Sequence, residues 1–230
     1  MFKHIGMQSF GEIEKLLQLN RVKFFNFVKN EKILDYGGGD GNVWSVAGKQ
    51  NLLKIDLLEP DEDLVKIAKS RDIYENIYSS DLDIEKSQYS SLTCFNVLEH
   101  IEEPKRFLKN FSGYKKIHIV VPNAKSFHRQ VGLQMGLIEN MYELSENDLK
   151  VGHKRYYDKE TLLSELEILT KKGYSIKKYG TVSFKFLDNK NTASFKDLFN
   201  DMNKVAEKNK LIGENCFNGA ELGVTLEKLN

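Results

Sequence analysis

Glycines stand at 37, 38, 39 and 41, beginning two positions after an acid, Asp35, in the run Ile33-Leu34-Asp35-Tyr36-Gly37-Gly38-Gly39-Asp40-Gly41-Asn42-Val43. Glycine permits tight turns and close approach of the backbone to a ligand. A glycine turn that opens a helix also presents unpaired N–H groups at the positive end of the helix dipole. Such a turn holds a small molecule. Further along, Glu59 closes a short apolar run and Asp81 follows the short strand Ile77-Tyr78-Ser79-Ser80, and an acid there can accept hydrogens from hydroxyl or amino groups. Histidines at 100, 128 and 153 add groups that take up a proton near neutral pH. The chemistry on offer is binding of a polar small molecule, with proton transfer beside it.

Three ligand classes compete for the glycine turn. A phosphate-cradling loop ends in Gly-Lys-Ser/Thr, and nothing here supplies it. The dinucleotide fingerprint needs a glycine where Asn42 stands. What remains is the spacing acid-x-Gly-x-Gly-x-Gly. The elements that must position it alternate. Residues 32–36 read as a strand, 42–48 as a helix and 52–58 as a buried strand ending at Glu59. Pro60-Asp61 then turns the chain into a helix over 61–70, with Leu64, Ile67 and Ala68 on one face. A short strand at 76–79 leads to Asp81-Leu82, with Asp83 as an alternative acid. A strand over 92–97 runs into Leu98-Glu99-His100-Ile101, and Pro104 starts a helix that reaches Phe111. A further strand spans 115–121. This alternation argues for a parallel sheet covered on both faces.

Taken in order, these segments resemble the motifs of class I S-adenosylmethionine-dependent methyltransferases, including the L-E-H-I signature after the fourth strand. The resemblance covers residues 33–111. It implies an α/β, Rossmann-like seven-stranded sheet in the order 3-2-1-4-5-7-6, with the seventh strand antiparallel. The later elements are then a helix over 158–172, a strand over 174–185, a helix over 195–208 and a strand over 220–228. The implied cofactor is S-adenosylmethionine, with S-adenosylhomocysteine as product. Asp35, Gly37, Gly38, Gly39 and Gly41 would line it, and Glu59 with Pro60 would take its ribose hydroxyls. Asp81 with Leu82 would meet the adenine, and Asn96 would close the pocket at the fourth strand. Gly38 departs mildly from the pattern, since many members carry cysteine or another small residue there. The bland reading of Glu59 is an acid stabilised at a helix N-terminus.

Length and composition agree with one domain over 1–230. The chain has 230 residues, 40% hydrophobic and 29% charged, which suits a globular protein with a substantial core. Its net charge is +1, from 34 basic and 33 acidic residues, so no broad nucleic-acid footprint is expected. Two cysteines, Cys94 and Cys216, make neither a disulfide framework nor a metal spacing. Neither a signal peptide nor an apolar run of about 18 residues is visible, so a cytoplasmic protein without membrane contact is expected. A helical leader over 1–30, apolar at 10, 13, 16, 17, 22, 24, 25 and 28, either closes the site or covers the sheet.

Residues 122–157 separate the fifth strand from the next helix and read as a substrate-binding cap. Asn123, Arg129, Arg155, Tyr156 and Tyr157 are its candidate acceptor contacts; an arginine can hold a carboxylate or phosphate in two-point fashion. Either arginine could equally be a surface ion-pair partner, and either tyrosine could simply pack. His153, His128 and His100 are the candidate bases. Glu99 and His100 could ligate a metal, but Asn96 stands where a second carboxylate would complete the set, so no metal is expected. The expected acceptor is a small polar molecule with hydroxyl or amine groups, such as a sugar, a nucleotide-linked sugar or another precursor of a surface polysaccharide. Alternatives are methylation of RNA or protein, and a non-catalytic S-adenosylmethionine-binding module. A monomer or homodimer is expected.

Overall fold

The structure is a computed structural model, and it describes residues 11–51, 54–82, 84–185 and 196–229. The alternative acid Asp83 and the first ten residues of the leader lie outside them. Strands β1 (Lys32–Tyr36), β2 (Lys54–Leu58), β3 (Ile77–Tyr78), β4 (Ser91–Phe95) and β5 (Lys116–Pro122) pair in parallel. Strand β8 (Glu221–Lys228) lies antiparallel between β5 and β6 (Tyr174–Val182). A two-residue strand, β7 (Gly213–Glu214), pairs on the outer edge of β6. Among the described residues the sheet order is therefore β3-β2-β1-β4-β5-β8-β6-β7. The expected order holds, with β8 as the expected seventh strand; β7 is the one addition, and two residues are too few to show a period of two.

Helices cover both faces. On one, α1 (Gly11–Phe25) and α2 (Asn42–Asn51) lay Phe24, Phe25, Val43, Trp44 and Ala47 against Ile33, Ile55, Phe95 and Val120. On the other, α4 (Pro104–Leu108) and α7 (Lys159–Thr170) bring Leu108, Leu162, Leu166 and Leu169 onto Leu34, Leu92, Cys94, Ile119 and Val224. Neighbours Ile33 and Leu34 fall in opposite cores because side chains alternate across a strand. A strand buried on both faces reads as a nearly continuous apolar run, which in β1 and β5 is broken inside only by Asp35 and His118. Each large side chain so buried contributes about 1.5–3 kcal/mol. Both cysteines are free, and Cys94 is a small core residue.

Helix boundaries follow local chemistry. Asp61 caps α3 (Glu62–Ser70) by accepting from Asp63 N at 2.9 Å and Leu64 N at 3.2 Å. Pro104 opens α4, where its missing N–H costs nothing. Asp158 and Thr161 form a reciprocal capping box on α7. Between β5 and α7 lie two short helices, α5 (Phe127–Gln134) and α6 (Glu146–Lys150), and α8 (Lys196–Lys208) precedes β7. No helix among the described residues is long and apolar enough to cross a membrane. The N-terminal helix α1 covers a sheet face with its aromatic residues. Its polar side also reaches the strand ends, where Asn42 Nδ2 donates to Glu14 Oε1 at 2.8 Å.

Candidate functional site

The glycine turn sits where β1 ends, beside the C-terminal ends of β2 and β4. Gly37, Gly39 and Gly41 take φ values of 72°, 59° and 78°, a region open to glycine and costly for other residues. A Cβ at Gly37 would lie 2.8 Å from Val97 Cγ2, one at Gly38 2.0 Å from Asp35 Oδ2, and one at Gly41 2.8 Å from the Tyr74 ring. At Gly39 a Cβ would meet nothing within 4 Å. The turn is thus clamped at three glycines and open at the fourth, which makes a cradle with one free wall.

Asp35 anchors that clamp from beneath. The register sets it opposite Thr93, whose Oγ1 donates to Asp35 Oδ1 at 2.9 Å, while Tyr74 OH donates to Oδ2 at 3.0 Å. Burial pushes its carboxyl up to about 6, with Thr93 and Tyr74 pulling the other way. Its side chain is engaged with the protein and braces the turn. Glu59, at the end of β2, reaches the turn directly. Its Oε2 accepts Gly39 N–H at 3.0 Å and its Oε1 accepts Asp61 N–H at 3.0 Å. Pro60 lies exposed between them. Across the crevice Asp81 accepts Tyr36 OH at 3.1 Å, and Leu82 beside it is 88% exposed.

Asn96, just past β4, has φ 53° and turns its Nδ2 toward Glu221 Oε1 at 3.1 Å. Glu221 also receives Arg21 of α1 in a buried ion pair, and Arg21 donates in addition to Gln18. Against the upward push of burial, Arg21 holds the Glu221 carboxyl below its ordinary value. Asn96 therefore belongs to a charged network that ties α1 to the strand ends. Neither Arg21 nor Glu221 carries a local signal, because they are 200 residues apart.

The 3-10 turn Leu98–His100 brings a second group to the crevice. Glu99 is fully buried, and neither of its carboxylate oxygens accepts a hydrogen bond. Burial pushes its carboxyl up to about 7, opposed by the nearby His153 imidazole. His153 follows α6. Its Nε2 is 4.0 Å from Glu99 Oε1 and its Nδ1 is 3.2 Å from Asp148 Oδ1, a contact bent from ideal hydrogen-bond geometry. His100 meets the His153 ring edge to face, with centroids 4.8 Å apart. Asp148 accepts further from Ser145 and, at 3.1 Å, from Tyr156 OH. These donors and His153 outweigh burial and hold its carboxyl well below the usual carboxylate range. The sequence raised Glu99 only as a metal ligand, and Asp148, the N3 member of the α6 capping box whose N-cap is Ser145, was not singled out.

The other expected acceptor contacts of the cap are engaged with the protein itself. Asn123 Nδ2 donates to the carbonyls of Phe217 at 3.0 Å and Gly219 at 2.8 Å. Arg129 donates to Met141 O and Glu143 O, at 2.9 and 2.6 Å, and stacks 4.0 Å over the Tyr156 ring. Arg155 Nη2 donates to Ile101 O and Glu102 O at 3.0 and 3.1 Å. Tyr157 is core, 1% exposed. All four fasten the cap to the sheet or to itself, since a buried polar group needs a partner. His128 is largely buried away from solvent, which drives its imidazole down to about 3 and leaves it a poor base.

The sequence profile of the methyltransferase domain family matches residues 8–168. The chain belongs to this family. It is a class I S-adenosylmethionine-dependent methyltransferase, and S-adenosylmethionine is the family's methyl donor. No curated protein matches it in sequence. Solved structures are similar in fold at low identity. One is a methyltransferase from Thermotoga maritima described as a possible histamine N-methyltransferase, with TM-score 0.61 and 17% identity over 94% of this chain and 89% of that one. Another is the plantazolicin methyltransferase BpumL in complex with S-adenosylhomocysteine, with TM-score 0.57 and 18% identity over 94% and 84%. A third is the methyltransferase domain of a bacterial Hen1, with TM-score 0.55 and 17% identity over 94% and 98%. The open wall at Gly39, with the Glu59 carboxylate beside it, is a shape and chemistry that fit this methyltransferase's donor.

Proposed function

We propose that this methyltransferase moves a methyl group to a hydroxyl or amine of a small polar acceptor bound between the glycine turn and the Glu99–His153 cluster. One observation carries the reading: Val97 packs on Gly37, so the turn that cradles the donor and the turn that presents Glu99 and His100 are direct neighbours. S-adenosylmethionine supplies an electrophilic methyl on its sulfonium when bound. The chain's residues hold and orient. Glu59 receives the ribose hydroxyls, since its carboxylate oxygens at the turn accept hydrogens, as they do from the Gly39 and Asp61 amides. Asp81 faces the adenine amine, and exposed Leu82 covers the ring. Orientation of acceptor and donor in line can lower such a barrier by about 7–11 kcal/mol. The acceptor's proton leaves toward the His153 cluster, and His100 lines its mouth.

The acceptor is an uncharged or cationic small molecule, such as a free sugar or an amine. A nucleotide-linked sugar loses support, because Arg129 and Arg155, the groups that would grip its phosphates, donate to backbone carbonyls. Similar structures described as a possible histamine N-methyltransferase and as a plantazolicin methyltransferase support an acceptor other than a nucleic acid. Incubation with methyl-labelled donor and separate pools of sugars, amines, sugar nucleotides, peptides and RNA tests this. Label in the sugar or amine pool is expected; label only in RNA or protein overturns it.

A further inference from the structure

Glu99, His100 and His153 each offer one potential ligand atom, and the three atoms lie within 4.8 Å of one another. Two observations say that something positive belongs between them. Glu99 is fully buried with both carboxylate oxygens unpartnered. Asp148 lies 3.2 Å from His153 Nδ1, which places the ring proton there and leaves the Nε2 lone pair facing Glu99 Oε1, 4.0 Å away. Lone pair facing lone pair in a buried site is unstable unless a proton or a cation lies between. A shared proton needs a separation of about 2.7–2.9 Å, and the gap is far wider. An ion held tetrahedrally at roughly 2.0–2.2 Å from each ligand sets its ligand atoms about 3.3–3.6 Å apart, so the side chains would draw in by about half an ångström or more to close on it.

We propose that Glu99, His100 and His153 bind one divalent transition-metal ion of the zinc, cobalt, iron(II) or manganese class. Two imidazoles and one carboxylate select that class over magnesium and calcium, which take all-oxygen sites. Asp148 serves as the outer carboxylate that orients a ligating histidine, and Ser145 and Tyr156 fix Asp148 in turn. The expectation of no metal rested on Asn96 in place of a second carboxylate. Asn96 points to Glu221 and contributes nothing, but three protein ligands with a position left open are what a catalytic ion requires. The site lies against the proposed acceptor space, so the ion would meet the acceptor oxygen or nitrogen. The inference does not depend on the identity of that acceptor.

The test uses the full-length protein, stripped with chelator and titrated with cobalt(II) chloride in the absence of donor and acceptor. Calorimetry and visible absorption are read together. Expected are one cobalt per chain with visible ligand-field bands, displacement by zinc, and no displacement by equal magnesium. His153→Ala and Glu99→Gln should abolish the bands, and Asp148→Asn should weaken binding by about 10–100-fold. Should Glu99→Gln fail to fold, His100→Gln gives the same readout from a partly exposed position. No saturable uptake of cobalt or zinc below millimolar concentration overturns the proposal. So does uptake that His153→Ala and His100→Gln leave unchanged. Because methyl transfer is not measured, failure of the acceptor reading leaves this result standing, and the reverse also holds.

Discussion

The Glu59 carboxylate accepts the backbone N–H of Gly39 at 3.0 Å, joining the end of β2 to the open wall of the glycine turn. One side chain thus shapes the turn and, in the proposed donor cradle, supplies the acid.

Replacing it separates binding from folding. Charged hydrogen bonds contribute about 1.5–3 kcal/mol each, so Glu59→Ala should weaken S-adenosylhomocysteine binding by at least 10-fold and up to several hundred-fold. Calorimetry reads the affinity and circular dichroism the fold. An unchanged affinity in a folded variant removes Glu59 from the cofactor site.

Adjacent glycines should respond differently. Gly38→Ala drives a methyl into the Asp35 carboxylate and Leu57, so the fold should lose about 1–3 kcal/mol in urea unfolding. Gly39→Ala meets no atom, and its positive φ costs about 1–2 kcal/mol. Its main effect should be weaker cofactor binding, because the methyl projects into the open wall. Equal cofactor affinity for parent and Gly39→Ala contradicts the cradle.

Glu221→Ala strands the Arg21 guanidinium in a buried site and leaves Asn96 Nδ2 unpaired. A loss of about 3–5 kcal/mol is expected, and Arg21→Met with Glu221→Leu together should recover much of it. Were the single variant as stable as the parent, the pair would not hold α1 to the strand ends.

Acid should destabilise the fold through histidine. Burial drives the His118 imidazole, which sits 2.9 Å from Thr225 Oγ1, down to about 3. An unfolded histidine titrates near 6.5, so between these values the unfolded chain binds a proton that the native state refuses. The stability contribution is complete above about pH 6.5 and is lost as pH falls toward 3, at about 1.4 kcal/mol per pH unit. His128 adds to the same slope. Urea midpoints measured from neutral to acid pH should show it, and His118→Gln should flatten it; identical slopes in parent and variant would mean that His118 protonates freely in the fold.

His153→Ala should lower kcat by roughly 100-fold or more while the donor dissociation constant stays put, since its ring faces Glu99 and Asp148 rather than the glycine turn. Loss of donor affinity with normal kcat would move His153 out of the acceptor side.

Much of the framework was legible in residue order. The alternation of apolar runs and helical stripes indicated a parallel sheet covered on both faces, and the resemblance to class I methyltransferases implied its seven strands and their order. Glycine spacing located the cradle, and Glu59 stood out because an acid closes a buried strand. These features depend on backbone conformation and near neighbours, which a linear pattern records. Asn123, Arg129, Arg155 and Tyr157 had the right types for gripping an acceptor, yet their donors and rings turn inward to hold the cap.

Sequence by itself determined the sheet, the turn and the family, since local propensity and periodicity bind each of these to short segments. Only the tertiary structure decided which polar groups meet: Arg21 with Glu221, and Glu99 with His153 and Asp148. The physical reason is that a buried polar side chain takes whichever partner the packing brings within about 3 Å, and that partner is chosen by how distant elements stack rather than by anything written beside it in the chain.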